Sequence, residues 1–503
     1  MSRQNKNISK YKIKIPTDEK FQILSLKDCN FENIKNVIRF NPYAWMLLGL
    51  IIIGFVLRFI NLGFNSLWLD EGATLNFAQN SLIGIWETTA NGEFNPPLFY
   101  WLEHFMLIFG NSEFILRFLP ALFGWLTIPI IYFIGREING RLCGIIAAGL
   151  LTFSTFHIFY SQDARAYTTM LFFFSLAILF YLIALKSESK RYWIYSGIFS
   201  ALAFWTHFYV FIGILILFLH AIIVKRKTIL SNIHTIIPIT IFGLTFIVIS
   251  LPLILVTIKL FLIRTGNSPT WGLSGLDVIT NTIVLISGSE IYLTVIFTIL
   301  AIIGITQLLF KENKRDFAYL ILLSLILPFI ASMILAQKMP MNPRYLIYIL
   351  PFFFTAIGSA FSTIPKEIDY KKVAVVVLIL SCLISVPYLS TYYTTYSKED
   401  WRGMANTISE LTCDGDYVVV MPSYMSLAFD YYYDFKKDNT VEKYTTNSEE
   451  LIKIDSERLT HDAYYVITWD ISAANPEGDA LNWINSNTQY LGQNTGIYVF
   501  KSV

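Results

Sequence analysis

The sequence predicts a polytopic α-helical membrane protein with about eleven transmembrane helices and a small α/β domain at its C-terminal end. Of its 503 residues, 54% are hydrophobic and only 15% are charged, whereas soluble domains usually carry about 25% charged residues. Apolar runs long enough to cross a bilayer, about 20 residues each, recur between residues 43 and 391. From Tyr392 onward, 8 Lys and Arg face 17 Asp and Glu, although the whole chain has a formal net charge of +2. We therefore expect the basic and acidic parts to lie in different places.

The composition argues against several classes of protein. The sequence has no continuous basic stripe with interleaved aromatic residues, so we expect no nucleic-acid binding. The four cysteines, Cys29, Cys143, Cys382 and Cys413, form no CxxC pair, which indicates neither a disulfide framework nor a zinc site. The first apolar run is longer than the apolar core of a cleavable signal peptide, so we interpret it as a retained transmembrane helix.

The apolar runs predict eleven spans. They cover residues 43–61, 114–135, 142–160, 167–185, 192–207, 208–224, 235–262, 289–310, 317–336, 344–362 and 372–391. The segment Pro96–Gly110 is apolar but short, and it contains Glu103 and His104. Cytoplasmic loops are rich in Lys and Arg. Eleven spans place every basic cluster on that side, whereas a crossing at Pro96–Gly110 would move all later clusters outside. We therefore expect this segment to lie along the outer interface as an amphipathic helix.

This topology divides the chain into three parts. Residues 1–42 form a cytoplasmic segment, residues 43–391 form the transmembrane domain with its first outer loop at 62–113, and residues 392–503 form an extracytoplasmic α/β domain. In this last part "DWRGMANTISEL" is typical of an amphipathic helix, and "DYVVVMP", "AYYVITWD" and "TGIYVFKS" are typical of strands. The predicted location is the cell membrane, with the N-terminus in the cytoplasm and the C-terminal domain outside.

The first candidates for chemistry are the adjacent carboxylates Asp70 and Glu71 in "NSLWLDEGATLNFAQ". The loop 62–113 contains six acidic residues and no Lys or Arg, so no basic neighbour within the loop pairs with them. A carboxylate near a region of low dielectric holds a proton more tightly and is a better base. It is also a hard oxygen ligand for a divalent cation. A solvated loop charge is the alternative interpretation.

A second polar cluster is "FYSQDARAY", which places Asp163 and Arg165 in a very short outer turn between two predicted spans. We expect this turn to face the first outer loop, so that Asp163 joins Asp70 at one outer cavity and Arg165 is available to an anion. A salt bridge at a helix end is the alternative interpretation.

Other polar residues lie near the outer ends of spans. Asn95 precedes a double proline that starts a helix and could present its amide to a sugar or phosphate, and His207 in "WTHFY" is a lone histidine of the kind that is more often structural. Outer-end arginines are Arg58, Arg117 and Arg344. An arginine within the membrane usually faces a cavity or a partner, and for Arg58 snorkelling to the headgroups is the alternative interpretation. Arg344 follows Asn-Pro at a helix start, where backbone N–H groups also favour an anion, so it is the best candidate for binding a phosphate.

The sequence contains no Walker loop and no dinucleotide-binding fingerprint. The candidate residues lie on the outer side, away from cytoplasmic nucleotides. An enzyme there needs an activated donor that can be delivered through the membrane, and a lipid-linked donor meets that need.

Five motifs in this order, "LWLDEGAT", "NPPLFYWLEHFMLIFGNSEFILR", "YSQDARAYTTM", "WTHFY" and "NPRYL", resemble those of the GT-C fold, family-39-type glycosyltransferases. This superfamily includes protein O-mannosyltransferases and lipid A aminoarabinose transferases. The resemblance extends over residues 44–365. It implies a transfer outside the cytoplasm, usually with inversion, from a polyprenyl- or dolichyl-phosphate sugar to a protein, lipid or glycan acceptor.

The resemblance also implies roles for individual residues. Asp70 would be the general base, and Asp163 would match the family's second acidic position. Among these three catalytic candidates we expect Glu71 to position the loop or the donor, and Asp163 to orient the acceptor or hold an ion. The residues expected to bind the donor or its phosphate are Arg165, Arg344, Arg117 and Tyr345. Those expected to line the substrate cavity are Asn95, His207 and Tyr167. No cofactor is certain, and the resemblance leaves open a divalent ion, Mg or Mn, at Asp70 and Asp163.

Two other functions compete with glycosyl transfer. A flippase or transporter of lipid-linked glycans would tend to have interrupted helices, internal repeats and charges at the bilayer midplane, whereas the polar clusters here lie at the outer ends of spans. A structural membrane scaffold with an outer recognition domain does not explain the acidic pair. The sequence therefore favours the glycosyltransferase.

Overall fold

The computed structural model describes residues 41–503 except 94, 188, 266–268, 270–271 and 364–366. Most of the predicted cytoplasmic segment, with Cys29, lies outside the described residues. Among those described, eight helices are long and apolar enough to cross a membrane, or nine if one bent pair counts as a single span. The chain is a multi-pass α-helical membrane protein with a small C-terminal sheet domain, which confirms the predicted fold class.

The membrane part and its outer loop are built from sixteen α-helices within the described residues. They are α1 Pro42–Phe59, α2 Leu69–Ala78, α3 Leu82–Asn91, α4 Pro97–Met106, α5 Glu113–Asn139, α6 Arg141–Phe153, α7 Thr155–Ser161, α8 Tyr167–Lys186, α9 Lys190–Thr206, α10 Phe211–Ser231, α11 Ile237–Arg264, α12 Asp277–Ile286, α13 Ile291–Phe310, α14 Arg315–Leu335, α15 Leu350–Ala360 and α16 Tyr370–Thr394.

Two of the predicted spans are shorter than a regular transmembrane helix. The run 192–207 corresponds to α9, which has 17 residues, and the run 344–362 is a 3₁₀ turn, Pro343–Ile349, followed by α15. Every residue of α15 is buried, as expected of a helix that is apolar on all sides. A Cβ at Gly304 would lie 1.9 Å from the Ala356 carbonyl oxygen, so α13 packs against α15 at close range.

The predicted span 142–160 is broken into α6 and α7, which meet at Ser154 with a bend of 59°. Arg58 satisfies groups freed by this break: Nη2 donates to the Leu151 carbonyl at 3.0 Å and lies 2.8 Å from His157 Nδ1, and Nη1 donates to the Thr152 carbonyl at 3.3 Å. Arg58 is fully buried. Of the two interpretations, snorkelling to the headgroups is therefore wrong, because the broken helix offers Arg58 carbonyl acceptors inside the protein.

The first outer loop folds into the three short helices α2, α3 and α4. The helical segment Pro97–Phe109, which includes α4, is too short to cross a bilayer, in agreement with the prediction that Pro96–Gly110 does not cross. Trp86 and Trp101 stack against Trp205 of α9, with ring centroids 5.8 and 5.7 Å apart. These contacts fasten the loop to the helix bundle.

The C-terminal domain contains a five-stranded sheet in the order β2-β1-β3-β5-β4. Its elements are α17 Trp401–Leu411, β1 Tyr417–Met421, α18 Ser426–Phe429, β2 Val441–Tyr444, α19 Ser448–Glu457, β3 Ala463–Thr468, α20 Ile471–Ala474, α21 Asp479–Asn487, β4 Thr488–Asn494 and β5 Ile497–Ser502. β1 pairs in parallel with β2 and β3, while β5 is antiparallel to β3 and β4. The predicted amphipathic helix and the three predicted strands are confirmed. The edge strands β2 and β4 escaped prediction because "VEKY" and "TQYLGQN" are polar and partly exposed.

This domain is packed onto the first outer loop. A Cβ on Gly72 of α2 would lie 2.3 Å from the Leu427 carbonyl oxygen. Arg402 forms an ion pair with Glu113, and the Tyr432 hydroxyl donates to the same carboxylate at 2.8 Å. The domain therefore lies directly against the segment that contains Asp70 and Glu71.

Candidate functional site

A cavity of about 500 Å³ lies where the first outer loop, four inter-helix segments and the C-terminal domain meet. Its wall is formed by Leu69, Asp70, Ala73, Phe77, Glu93, Asn95, Arg165, Tyr167, His207, Phe208, Tyr209, Arg264, Pro269, Lys338, Met339, Pro340, Arg344, Tyr345 and Tyr424. Of the candidate site residues named from the sequence, Asp70, Arg165 and Arg344 lie on this wall, whereas Asp163 does not.

Asp70 stands in the first turn of α2 and faces two arginines. Its Oδ2 lies 3.1 Å from Arg344 Nη1 and 3.8 Å from Arg165 Nε. Arg165 also donates to the Asp70 carbonyl at 3.1 Å and to Thr74 Oγ1 at 3.3 Å. Asp70 therefore has basic neighbours in space. The loop itself contains no Lys or Arg, but the fold supplies two arginines from distant segments.

Arg344 is held among aromatic rings at the cavity wall. Its guanidinium carbon lies 5.5 Å from the ring centroids of Trp68 and Tyr167 and 5.7 Å from that of Tyr345. Such cation–π contacts fix the guanidinium without using its N–H groups. The buried Nε has no hydrogen-bond partner among the described residues, so the side chain retains capacity to donate to an anion.

The charged residues of the cavity wall are mostly basic. Arg165, Arg264, Lys338 and Arg344 face only two carboxylates, Asp70 and Glu93, which leaves the wall with a net charge of +2. A concave site with a surplus of one sign of charge attracts ions of the other. The cavity is therefore suited to an anionic group such as a phosphate.

Glu71 points away from this cavity into the protein. Its side chain is fully buried, and it accepts hydrogen bonds from Arg117 Nε and Nη2, both at 2.7 Å, and from the Ala164 amide at 2.8 Å. Lys398 Nζ lies 3.1 Å away. Burial alone would raise the pKa of this carboxyl, but the charges of Arg117 and Lys398 and the hydrogen bonds lower it well below its ordinary value. Glu71 is thus a fixed anion that secures the start of α2.

Arg117, predicted to bind the donor phosphate, uses all five of its N–H groups inside the protein. Three of its hydrogen bonds go to backbone carbonyls, those of Leu62, Asn65 and Ser66, and the other two go to Glu71. A guanidinium has five N–H donors, so none remains for a ligand. The fold also leaves Arg117 off the cavity wall.

Asp163, predicted to share the cavity with Asp70, lies behind the wall. Its Oδ1 accepts hydrogen bonds from Trp68 Nε1 and Lys398 Nζ, both at 2.8 Å, and the side chain is fully buried. Its Oδ2 has no hydrogen-bond partner among the described residues. The structure brings Asp163 to the same network as Glu71 rather than to the cavity.

The divalent ion suggested at Asp70 and Asp163 does not fit these surroundings. Within the described part of the chain, no three His, Cys, Asp or Glu side chains are grouped so that they could hold a metal ion. Asp70 faces two arginines and Asp163 faces Lys398. Basic side chains of the protein itself therefore form ion pairs with both carboxylates.

Asn95, His207 and Tyr167, which were predicted to line a substrate cavity, lie on the wall of this cavity. Tyr345 stacks on Tyr209 with ring centroids 4.8 Å apart, and the Tyr209 amide donates to His207 Nδ1 at 3.3 Å. The Asn95 side-chain amide donates to Glu93 at 3.4 Å. Tyr167 lies on the same wall. One side of the cavity wall is therefore aromatic, and it is formed by Tyr167, His207, Tyr209 and Tyr345.

Five residues at or behind the cavity were missed by sequence reasoning. They are Glu93, Arg264, Lys338, Tyr424 and Lys398. Arg264 ends a long span and was detectable as a basic residue at an outer end. The other four stand in loops or in the C-terminal domain, where no periodicity marks them, and the packing of that domain brings Tyr424 and Lys398 close.

Comparison with known proteins places this site in context. Residues 95–255 match the family described as "Dolichyl-phosphate-mannose-protein mannosyltransferase". A protein of Aquifex aeolicus (strain VF5), itself described as uncharacterized, is 31% identical over 148 residues, which are 28% of this chain and 30% of that protein. The match therefore spans less than a third of that relative's length.

Two solved structures resemble the whole chain. ArnT from Cupriavidus metallidurans, bound to undecaprenyl phosphate, is 13% identical with a TM-score of 0.57, over 91% of this chain and 98% of ArnT. The oligosaccharyltransferase AglB from Archaeoglobus fulgidus, in complex with an inhibitory peptide and a dolichol-phosphate, is 14% identical with a TM-score of 0.52, over 92% of this chain and 74% of AglB. Both are glycosyltransferases of the predicted class. The chain therefore has the GT-C fold of membrane glycosyltransferases.

Proposed function

We propose that this protein moves a sugar from a polyprenyl- or dolichyl-phosphate donor to a hydroxyl group of a protein, lipid or glycan acceptor at the outer face of the membrane. The observation that carries the proposal is the 3.1 Å contact between Asp70 and Arg344 on the cavity wall. It sets a carboxylate beside a cation suited to phosphate. The matched mannosyltransferase family and the lipid phosphates bound by ArnT and AglB support the same class of donor.

The donor phosphate is expected to bind at Arg344 and Arg165. Charge-assisted hydrogen bonds from arginine to phosphate are among the strong ones in proteins, and the wall has the positive surplus that a phosphate would neutralise. A phosphate bound to Arg344 also weakens the ion pair between Arg344 and Asp70. Asp70 then becomes a better proton acceptor when the donor is in place.

In the proposed reaction, Asp70 is the general base. As the acceptor oxygen attacks the anomeric carbon, its proton passes to the Asp70 carboxylate, and the bond between the anomeric carbon and the phosphate oxygen breaks. The leaving electron pair stays on the lipid phosphate, whose charge Arg344 and Arg165 stabilise. A positioned base typically contributes 10²–10⁴-fold to such a step.

The buried acids are assigned supporting roles in this mechanism. Glu71 is expected to fix α2 through Arg117, and Asp163 is expected to orient Trp68, because neither faces the cavity. The substrate contacts beyond the phosphate are assigned to the aromatic wall of Tyr345, Tyr209 and Tyr167.

A flippase for lipid-linked glycans is the competing function, and the break between α6 and α7 is the kind of interruption that transporters use. Here Arg58 donates to the Leu151 and Thr152 carbonyls, so these two carbonyls freed by the break are satisfied inside the protein. The two functions differ in chemistry, since a flippase leaves the bond between sugar and phosphate intact.

The test is turnover in detergent, where no bilayer separates two sides. Purified full-length protein is mixed with a panel of undecaprenyl-phosphate sugars and a cell-envelope extract, and release of undecaprenyl phosphate is measured together with mass spectrometry of the extract. Release with a matching mass gain on an acceptor supports the transferase. Binding of the intact donor without cleavage, together with unchanged envelope glycans in cells that lack the gene, contradicts it.

A further inference from the structure

Lys398 belongs to the C-terminal domain, yet it is buried in the ion-pair network behind Asp70. We propose that Lys398 is a positioning residue of the transfer site: by pairing with Asp163 it fixes Trp68, and through Trp68 it keeps Arg344 in place for Asp70 and for the donor phosphate. This inference rests on the proposed function, and it implies that the C-terminal domain contributes a residue to the site.

The contacts of Lys398 are short and shielded from solvent. Nζ lies 2.8 Å from Asp163 Oδ1 and 3.1 Å from Glu71 Oε2, and the side chain is 5% exposed. The ammonium also lies 5.7 Å from the ring centroids of Trp68 and Phe159. A lysine buried to this extent needs anionic partners, and here it has two.

The charges around Lys398 are balanced in two layers. Behind the wall, Arg117 and Lys398 match Glu71 and Asp163. On the wall, Asp70 faces both Arg165 and Arg344, which leaves one positive charge for a phosphate. Without Lys398, Asp163 would retain only the Trp68 indole N–H as a partner. An uncompensated buried carboxylate is costly, so Asp163 and the Trp68 indole that it holds would shift from their positions.

Trp68 links this network physically to the cavity. Its indole N–H donates to Asp163 at 2.8 Å, and its ring lies 5.5 Å from the Arg344 guanidinium. A shift of Asp163 therefore moves the surface on which Arg344 rests. Because Arg344 pairs with Asp70, a displacement reaches the proposed base as well.

The packing of the C-terminal domain against the first outer loop places Lys398 in this position. Next to it in the chain, the Ser397 amide donates to Asn65 Oδ1 at 2.9 Å, and Ser66 Oγ donates to Asp400 at 3.2 Å. The segment is thus fastened to the first outer loop on both sides of Lys398.

The test compares four full-length proteins with wild type: Lys398→Met, Asp163→Asn, the double variant, and Lys443→Met. Lys443 forms a more exposed ion pair with Glu457 in the same domain and serves as the matched control. The probe is undecaprenyl phosphate, whose dissociation constant is measured by native mass spectrometry, with melting temperatures recorded in parallel.

We expect Lys398→Met to weaken binding of undecaprenyl phosphate by about tenfold to 100-fold, because small misplacements of a site have effects of this order. The double variant removes both charges and should recover most of the loss, while Lys443→Met binds as wild type does. Wild-type affinity in Lys398→Met, or a double variant that binds no better than Lys398→Met, overturns the proposal.

Failure of the proposed function is recognised separately. If wild type itself does not bind undecaprenyl phosphate, the donor assignment is wrong, and Lys398 is judged on melting temperature alone. Charge balance requires the double variant to melt at a higher temperature than Lys398→Met. A double variant that melts at the same or a lower temperature rejects the role of Lys398.

Discussion

Asp70 Oδ2 lies 3.1 Å from Nη1 of Arg344, although the two residues stand at opposite ends of the membrane domain's sequence. The contact joins the first turn of α2 to the 3₁₀ turn that precedes α15. It places a carboxylate and a guanidinium, the proposed base and the proposed phosphate-binding group, at one point of a cavity whose wall also contains aromatic rings and further charged residues.

Replacing Arg344 should weaken binding of the donor lipid. Arg344→Ala removes charge-assisted hydrogen bonds worth about 1.5–3 kcal/mol, so affinity for undecaprenyl phosphate should fall by about tenfold to 100-fold. Lys311→Ala is the control, since Lys311 contacts Ser362 far from the cavity. Equal affinities in the two variants would show that the phosphate binds elsewhere.

The sequence was sufficient to identify Arg344 and Asp70 as candidates, but not to identify the residues that they contact. The spans were predictable because lipid demands long apolar runs, and Asp70, Arg165 and Arg344 were recognisable as polar residues at the ends of such runs. The partners of these residues were not predictable. Whether a carboxylate faces the cavity, as Asp70 does, or is sealed behind it, as Asp163 is, depends on Lys398, which lies more than two hundred residues further along the chain.

Glu71→Gln should reduce the stability of the protein strongly and its turnover only mildly. The variant leaves Arg117 and Lys398 without their carboxylate, and loss of one partner of a buried ion pair costs about 3–5 kcal/mol. We expect a lower melting temperature than that of Asp70→Asn, with a smaller loss of turnover per folded molecule. The opposite order, a stable and inactive Glu71→Gln protein, would make Glu71 a catalytic residue.

The same carboxyl predicts a pH dependence of stability. Because the pKa of Glu71 is lowered in the folded protein from an ordinary value of 4.5, its contribution is fully present above that value and is lost as the pH falls below it. As the pH falls below about 5, the melting temperature of wild type should therefore decrease more steeply than that of Glu71→Gln. Parallel curves for the two proteins would exclude Glu71 as a source of this dependence.

Gly72→Ala should displace the C-terminal domain from the first outer loop. The new Cβ would lie 2.3 Å from the Leu427 carbonyl oxygen, and overpacking of this kind typically costs about 1–3 kcal/mol. Gly49→Ala is the matched control, since a Cβ there meets nothing within 4 Å. We expect faster proteolysis near residues 392–400 in Gly72→Ala only. Equal cleavage in both variants would indicate that the domain is not held at Gly72.

The predicted topology can be tested with single cysteines in a protein whose four native cysteines are replaced. Asn76 and Asn313 are both exposed, and the eleven-span topology places Asn76 outside and Asn313 in the cytoplasm. A membrane-impermeant maleimide should label Asn76→Cys and spare Asn313→Cys in intact cells. Labelling of Asn313→Cys from outside would reverse the proposed orientation of the cavity.

The most direct measurement is the turnover of Asp70→Asn. Asparagine keeps the shape of the side chain but cannot take the proton of the acceptor, so the release of undecaprenyl phosphate from the active donor should fall by about two orders of magnitude or more. Binding of undecaprenyl phosphate should remain within a few-fold of wild type, because Arg165 and Arg344 are intact. Turnover close to wild type would contradict the assignment of Asp70 as the base and would transfer it to Glu93, the other carboxylate on the cavity wall.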